Sequence, residues 1–125
     1  MERIGHIDIE KFFESQLKEW PTFQANHAGL KNVKVKPLVI GKFVLQAQWN
    51  PKRIISTAAR IDAGSIQKRP CFLCAQNRPV EQEGILYREQ NQILVNPYPV
   101  FDRHLTIVAL SHTVQRIEGS FGKML

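Results

Sequence analysis

Cysteine is scarce in this sequence: Cys71 and Cys74 are the only two among 125 residues. Two cysteines so close together make a poor disulfide framework for a small secreted domain, which leaves metal binding or redox chemistry as their natural uses. Long apolar runs are absent too. The stretches at 38–40 and 106–110 are short and soon interrupted, far from the roughly 20 consecutive apolar residues that a membrane span needs. The first residues, Met1-Glu2-Arg3-Ile4-Gly5-His6, carry charge without an apolar core or a small-residue cleavage site. No secretory signal is expected, and the protein reads as cytoplasmic. There is no glycine-rich phosphate loop of the Walker or dinucleotide type, so a phosphate would have to be held by side chains and strand-end amides. Neither an internal repeat nor a low-complexity tract occurs.

What is present fits one domain over residues 1–125. Hydrophobic residues make up 43% and charged residues 22%, which excludes wholesale disorder. A folded chain near this size removes roughly two-thirds of its unfolded surface from water, so a core is expected without metal or disulfide staples. Lys and Arg number 17 against 11 Asp and Glu, a formal net charge of +6 that favours anionic partners, phosphate-bearing ligands and nucleic acid both among them.

Residues 1–31 read as a helix and a connection. Asp8 is a candidate cap, Ile9, Phe12, Phe13, Leu17 and Trp20 recur at helical spacing, and Pro21 stands where the helix should stop. Asn26, His27 and Gly29 then form a polar connection. Residues 32–60 hold the first strands. Val33, Val35 and Leu38 alternate, and Pro37 confines that strand to an edge or a bulge. Phe43, Leu45, Ala47 and Trp49 alternate with Val44, Gln46 and Gln48 as in a strand with one buried face, ended by Asn50-Pro51. Ile54-Ile55-Ser56-Thr57 is a candidate return strand. Residues 61–83 read as an exposed linker, strongest over 62–70, that delivers the Cys71-Phe72-Leu73-Cys74 turn. In 84–118, Ile85-Leu86-Tyr87, Ile93-Leu94-Val95 and 105–110 read as strands, with a polar reversal at Glu89-Gln90-Asn91 and a helix beginning after Ser111 through Val114 and Ile117. Meandering strands with helices outside the sheet give an α+β fold built on antiparallel pairing.

Three constellations carry chemistry. Cys71 and Cys74 can reach one tetrahedral zinc ion from a single turn, which supplies half a site; the nitrogen donors suited to complete it are His6, His27, His104 and His112. Two thiols without a ligand remain the alternative. A thioredoxin-like pair is disfavoured, because Asn77-Arg78-Pro79 follows at once and no βαβ pattern surrounds the motif. The second constellation is Ile93 to Val100 followed by His104 to His112, two strands joined by a proline-stiffened loop. Alternation sets Leu105, Ile107 and Ala109 on the expected core face, with His104, Thr106 and Val108 opposite. Asn96 before Pro97 reads as a turn former or a ligand contact. The third is a basic set, Lys52, Arg53, Arg60, Lys68, Arg69 and Arg78, of which arginine fits phosphate oxygens in a bidentate fork.

Motif by motif, the chain resembles the histidine-triad superfamily, in the branch of galactose-1-phosphate uridylyltransferase and GDP-L-galactose phosphorylase. Cys71-Phe72-Leu73-Cys74-Ala75-Gln76-Asn77-Arg78 is similar to the zinc-binding Cys-x-x-Cys of the uridylyltransferases, and Ile93-Leu94-Val95-Asn96 to their nucleotide-contacting strand end. His104-Leu105-Thr106-Ile107-Val108 through His112 resembles the strand that ends in a further histidine. Lys36-Pro37-Leu38, Phe43-Val44-Leu45 and Arg53 are similar to the upstream segment that brings arginine to phosphate, so the likeness covers about residues 36–118 in consistent order. It implies a histidine-triad-like antiparallel meander with flanking helices, incomplete at its C-terminus. It further implies zinc on Cys71, Cys74 and His112, with the fourth ligand outside this chain or at His104, and nucleotide or phosphate contacts from Asn96, Arg53, Arg78 and Asn77.

The departure from that pattern is the missing His-x-His motif, whose histidine forms the nucleotidyl intermediate in the family. His112 is the last histidine, and 13 residues follow it. The expectation is therefore an N-terminal nucleotide-recognition and zinc-binding part of a nucleotidyltransferase or nucleotide-sugar phosphorylase, with no catalytic residue of its own. Its helix begun near Thr113 would be cut short. The partner is a nucleotide or nucleotide-sugar, with no membrane, nucleic acid disfavoured and a homodimer left open. The alternative is a non-catalytic zinc-binding module that takes nucleic acid or a protein partner; no continuous basic stripe with interleaved aromatics supports the nucleic-acid form.

Overall fold

Two helices packed on one short sheet hold what core there is. The computed structural model describes residues 6–119 and 121–124. Residues 1–5, where no secretory signal is expected, and the side chain of His6, one of the candidate nitrogen donors, lie outside the described residues. Helix α1 is His6–Glu19, with Asp8 inside its first turn and not at the cap position. Pro21 does end α1, yet it also opens a second helix, α2, Pro21–Ala28, and a 3₁₀ turn follows at Gly29–Asn32. Proline is pre-set for the first helical position because its fixed φ suits a helix and its missing N–H would be unbonded there anyway. The polar connection expected through Asn26 and His27 is therefore helical.

Strands β1, Lys34–Ile40, and β2, Phe43–Trp49, form an antiparallel ribbon joined at Gly41-Lys42, where Gly41 takes a φ of +60 that L side chains rarely adopt. The expected buried face is missing: both faces of both strands are exposed, with Val39 at 76% and Phe43 at 73%. Alternation predicts a pleat, but nothing among the described residues covers this one. Asn50 accepts the Lys52 N–H through its side chain and starts the 3₁₀ turn Pro51–Arg53. The chain runs straight on into a helical turn α3, Ile54–Thr57, where a return strand was expected. The stretch at 62–70 is exposed, as expected, but contains helix α4, Ala63–Lys68, capped by Asp62, whose carboxylate takes the Ser65 N–H at 3.0 Å.

A 3₁₀ turn at Ala75–Asn77 leads to a three-stranded antiparallel meander of β3, Ile85–Tyr87, β4, Asn91–Val95, and β5, Leu105–Ala109. β4 is central, and Gln92 to Val95 are buried on both faces. In β5 the expected faces exchange along the strand: Leu105 packs on the core, but Thr106 and Val108 are better covered than Ile107 and Ala109. The helix expected directly after Ser111 is not formed; 112–116 are irregular and exposed, and the next helical turn is α5, Phe121–Met124.

The fold is thus α+β with two small antiparallel sheets and several helices. Its core is Phe13, Trp20, Phe23 and Val95, with Phe12, Leu17 and Leu105 against it. The accessible surface is 10021 Å², whereas a compact monomer of this mass exposes about 6800 Å². The apolar ribbon and the short helices after it are exposed along almost their whole length. Among the described residues no helix is long and apolar enough to cross a membrane.

Candidate functional site

The turn after α4 places Cys71 and Cys74 one helical step apart: the Cys74 N–H donates to the Cys71 carbonyl, and Asn77 Nδ2 donates to that same carbonyl at 2.9 Å. Asn77 therefore braces the turn from beneath. The segment leaving β5 returns to it and sets His112 Nδ1 3.2 Å from Cys74 Sγ. Ligand atoms of Cys71, Cys74 and His112 all lie within 4.8 Å of one another, the one such group among the described residues. Two soft sulfurs and an imidazole nitrogen form the donor set that zinc prefers. The amide of Leu73, then hydrogen bonds from Cys74 and His112, draw the Cys71 thiol down to about 7 against an opposing effect of burial. Cys74 is pushed up, chiefly because its hydrogen bond to Cys71 holds its proton, while the charge of Arg78 pulls the other way.

His104 does not complete this group. It precedes β5 while His112 follows it, so the strand's own length, on the order of 16 Å at 3.3 Å per residue, separates them; its Nδ1 also takes the Val100 N–H at 3.1 Å. His27 is likewise engaged elsewhere, its Nε2 donating to the Asp102 carboxylate at 2.9 Å.

A second region lies around the connection at 96–104. Asn96 forms the turn its position suggested, its Oδ1 accepting the Tyr98 N–H at 2.9 Å, and its Nδ2 faces His104 Nε2 at 3.4 Å. Three other elements hold this connection. Asn26 of α2 donates to the Pro97 carbonyl at 2.8 Å, Gln48 of β2 to Val100 at 3.0 Å, and Asn50 to Pro99 at 3.3 Å. Asn50 thereby ties the turn that carries Arg53 to the His104 loop. Burial first, and the charge of Arg53 second, lower the pKa of His104 below its ordinary 6.5, which favours the neutral ring.

Arg53 and Arg78, expected to face phosphates, share an unusual state. Arg53 Nε and Arg78 Nε and Nη1 are buried and have no hydrogen-bond partner. A buried donor left unmade costs about 1–3 kcal/mol, more when it is charged, and native structures keep such groups few. The rest of the basic set is solvent-facing, Arg60 pairing loosely with Asp62 at 3.3 Å. Sequence reasoning missed the part played by Gln48, Asn50 and Asn26; three amides at positions 26, 48 and 50 carry no motif, and only the fold brings them to one loop.

Residues 12–125 match the model of a family described as Domain of unknown function (DUF4922). No curated protein and no solved structure matches the chain.

Proposed function

The chain belongs to the DUF4922 family, a premise that leaves the activity to be read from its own residues, and we propose that it is the nucleotide-recognition and zinc-binding part of a nucleotidyltransferase or nucleotide-sugar phosphorylase. The observation that carries this reading is the pair of arginines, Arg53 and Arg78, whose buried nitrogens lack acceptors. Guanidinium donors without an oxygen to bond suit a ligand that brings its own oxygens, and phosphate does so with matching charge. In this reading Asn96, Arg53, Arg78 and Asn77 line the nucleotide's path, and the segment contributes positioning and charge neutralisation but no bond making.

Cys71, Cys74 and His112 fit a zinc ion by donor type and by their mutual distances. Bound there, the metal would supply a structural tie between the turn at 71–74 and the segment that leaves β5. The chain's own residues already hold the first half of that tie, through Asn77 on the Cys71 carbonyl.

Calorimetric titration of the zinc-loaded chain with UDP- and GDP-sugars tests the proposal. A saturable, salt-sensitive heat is expected, and a flat titration with all of them would sink it. One observation favours the second reading, a module that binds a protein partner: the β1–β2 ribbon exposes Val39, Phe43 and Val44 at 76%, 73% and 61%, more apolar surface than soluble monomers usually leave uncovered.

A further inference from the structure

We infer that His104 is a specificity-determining binding residue: its Nε2–H donates to an oxygen of a phosphate-bearing ligand, between the Asn96 amide and Arg53. The identity of the ligand rests on the nucleotide reading above, whereas the donor itself rests on hydrogen-bond geometry alone.

The segment at 96–104 closes on itself, the Asn96 N–H donating to the His104 carbonyl at 3.0 Å. Inside that closure the Val100 N–H points at His104 Nδ1 from 3.1 Å. A backbone N–H cannot rotate away, and a ring nitrogen that accepts a hydrogen carries none. A neutral imidazole has one proton, so it resides on Nε2. Nε2 in turn faces Asn96 Nδ2 at 3.4 Å, which sets donor against donor. Turning the Asn96 amide over does not relieve this. Its Oδ1 already accepts the Tyr98 N–H at 2.9 Å, and the turned amide would present hydrogens to that N–H instead. In either orientation one donor is left without an acceptor.

Arg53 adds a third. It stands near enough for its charge to act on His104, and its Nε is buried without a partner. An imidazole N–H and a carboxamide N–H thus face each other at 3.4 Å with no acceptor between them, and Arg53 adds positive charge and an unbonded Nε in the neighbourhood. An oxyanion would accept from the first two and be drawn by the third. Phe101 stacks on the imidazole at 4.5 Å between centroids and 26° between planes, so the direction of Nε2–H is fixed before a ligand arrives. A donor held this way gives its hydrogen to a phosphoryl oxygen and disfavours an ammonium group at the same point, because the latter would bring only further hydrogens.

The test uses the zinc-loaded 125-residue chain, labelled with ¹⁵N at histidine and asparagine, near neutral pH, with UMP, GMP, AMP and inorganic phosphate as probes. The free protein should show His104 as the Nε2–H tautomer, and saturation with a binding probe should shift Nε2 and Asn96 Nδ2 while Nδ1 stays in place. His104→Phe, which keeps the stack on Phe101, should weaken binding at least tenfold, about the worth of one hydrogen bond to a charged group. His104→Gln, which keeps an N–H donor, should recover part of that loss, with zinc content unchanged in both. An Nδ1–H tautomer in the free protein overturns the inference at its premise. A probe that binds without moving Nε2 and ignores His104→Phe overturns it while the nucleotide reading survives. If none of the four probes binds, both fall together.

Discussion

Cys74 Sγ lies 3.2 Å from Nδ1 of His112, a partner 38 residues further along the chain. Both residues sit outside regular structure, and this contact joins their two segments. Removing one donor should therefore loosen both at once. Cys71→Ser or His112→Ala is expected to cut bound zinc from about one ion per chain to well under half, measured by elemental analysis after dialysis, with a lower Tm. Zinc uptake by the native chain should also weaken as pH drops below about 7, where the Cys71 thiol gains its proton. Equal zinc content in variant and native chains would remove the metal assignment.

Gln16 is fully buried on α1, and its amide does two jobs: Nε2 donates to the Glu81 carbonyl at 3.0 Å and Oε1 accepts the Glu83 N–H at 3.1 Å. This one side chain fastens the approach to β3. Gln16→Leu keeps the volume and strands two backbone groups, so a loss of about 1–3 kcal/mol is expected, read from urea denaturation. Hydrogen exchange should rise at the Glu83 amide before it rises in α1.

Phe13 carries more of the core than any single contact suggests. Its ring meets Phe23 edge-on at 5.5 Å, and the Arg103 guanidinium lies 4.5 Å from its centroid while also bonding Glu10. Phe13→Ala should cost about 3–5 kcal/mol, a large share of the 5–15 kcal/mol typical of a domain. Circular dichroism should then show a chain largely unfolded at 37 °C, and a cooperative melt close to that of the native chain would contradict the account.

The lowered pKa of His104 has a defined sign. The unfolded chain takes up a proton near 6.5 that the folded chain refuses until lower pH, so the stability involved is complete above that value and is lost as pH falls through the folded one. Protonation also places a second hydrogen against the Val100 N–H. Denaturation midpoints measured between roughly pH 7 and 5 should fall more steeply for the native chain than for His104→Gln. Parallel slopes would show that the ring is not held neutral.

The strands of the meander were readable because their apolar pairs are bounded by polar reversals, and Ile93-Leu94-Val95 proved to be buried on both sides, as an uninterrupted apolar run permits. Other elements were hidden for identifiable reasons. Ile54-Ile55-Ser56-Thr57 has the β-branched composition of a strand, yet the Asn50 cap starts a turn that carries through it as helix. Pro21 reads as a stop, although it is equally a start. The alternation of Phe43 to Trp49 fixes which side chains share a face, but whether that face is covered depends on elements elsewhere. In the candidate site, Cys71 and Cys74 were legible by spacing, whereas donor type allowed four histidines and only the family likeness singled out His112; His104, the alternative to a fourth ligand outside the chain, is engaged elsewhere.

The connection at 96–104 is fastened to α2 through Asn26 and His27, to β2 through Gln48, and to the turn beyond it through Asn50. A segment anchored at so many points has little freedom left to surrender when a small molecule settles against it. Association there should carry a small entropic penalty and no slow rearrangement, and its rate should fall with ionic strength and follow solvent viscosity as a diffusive encounter does.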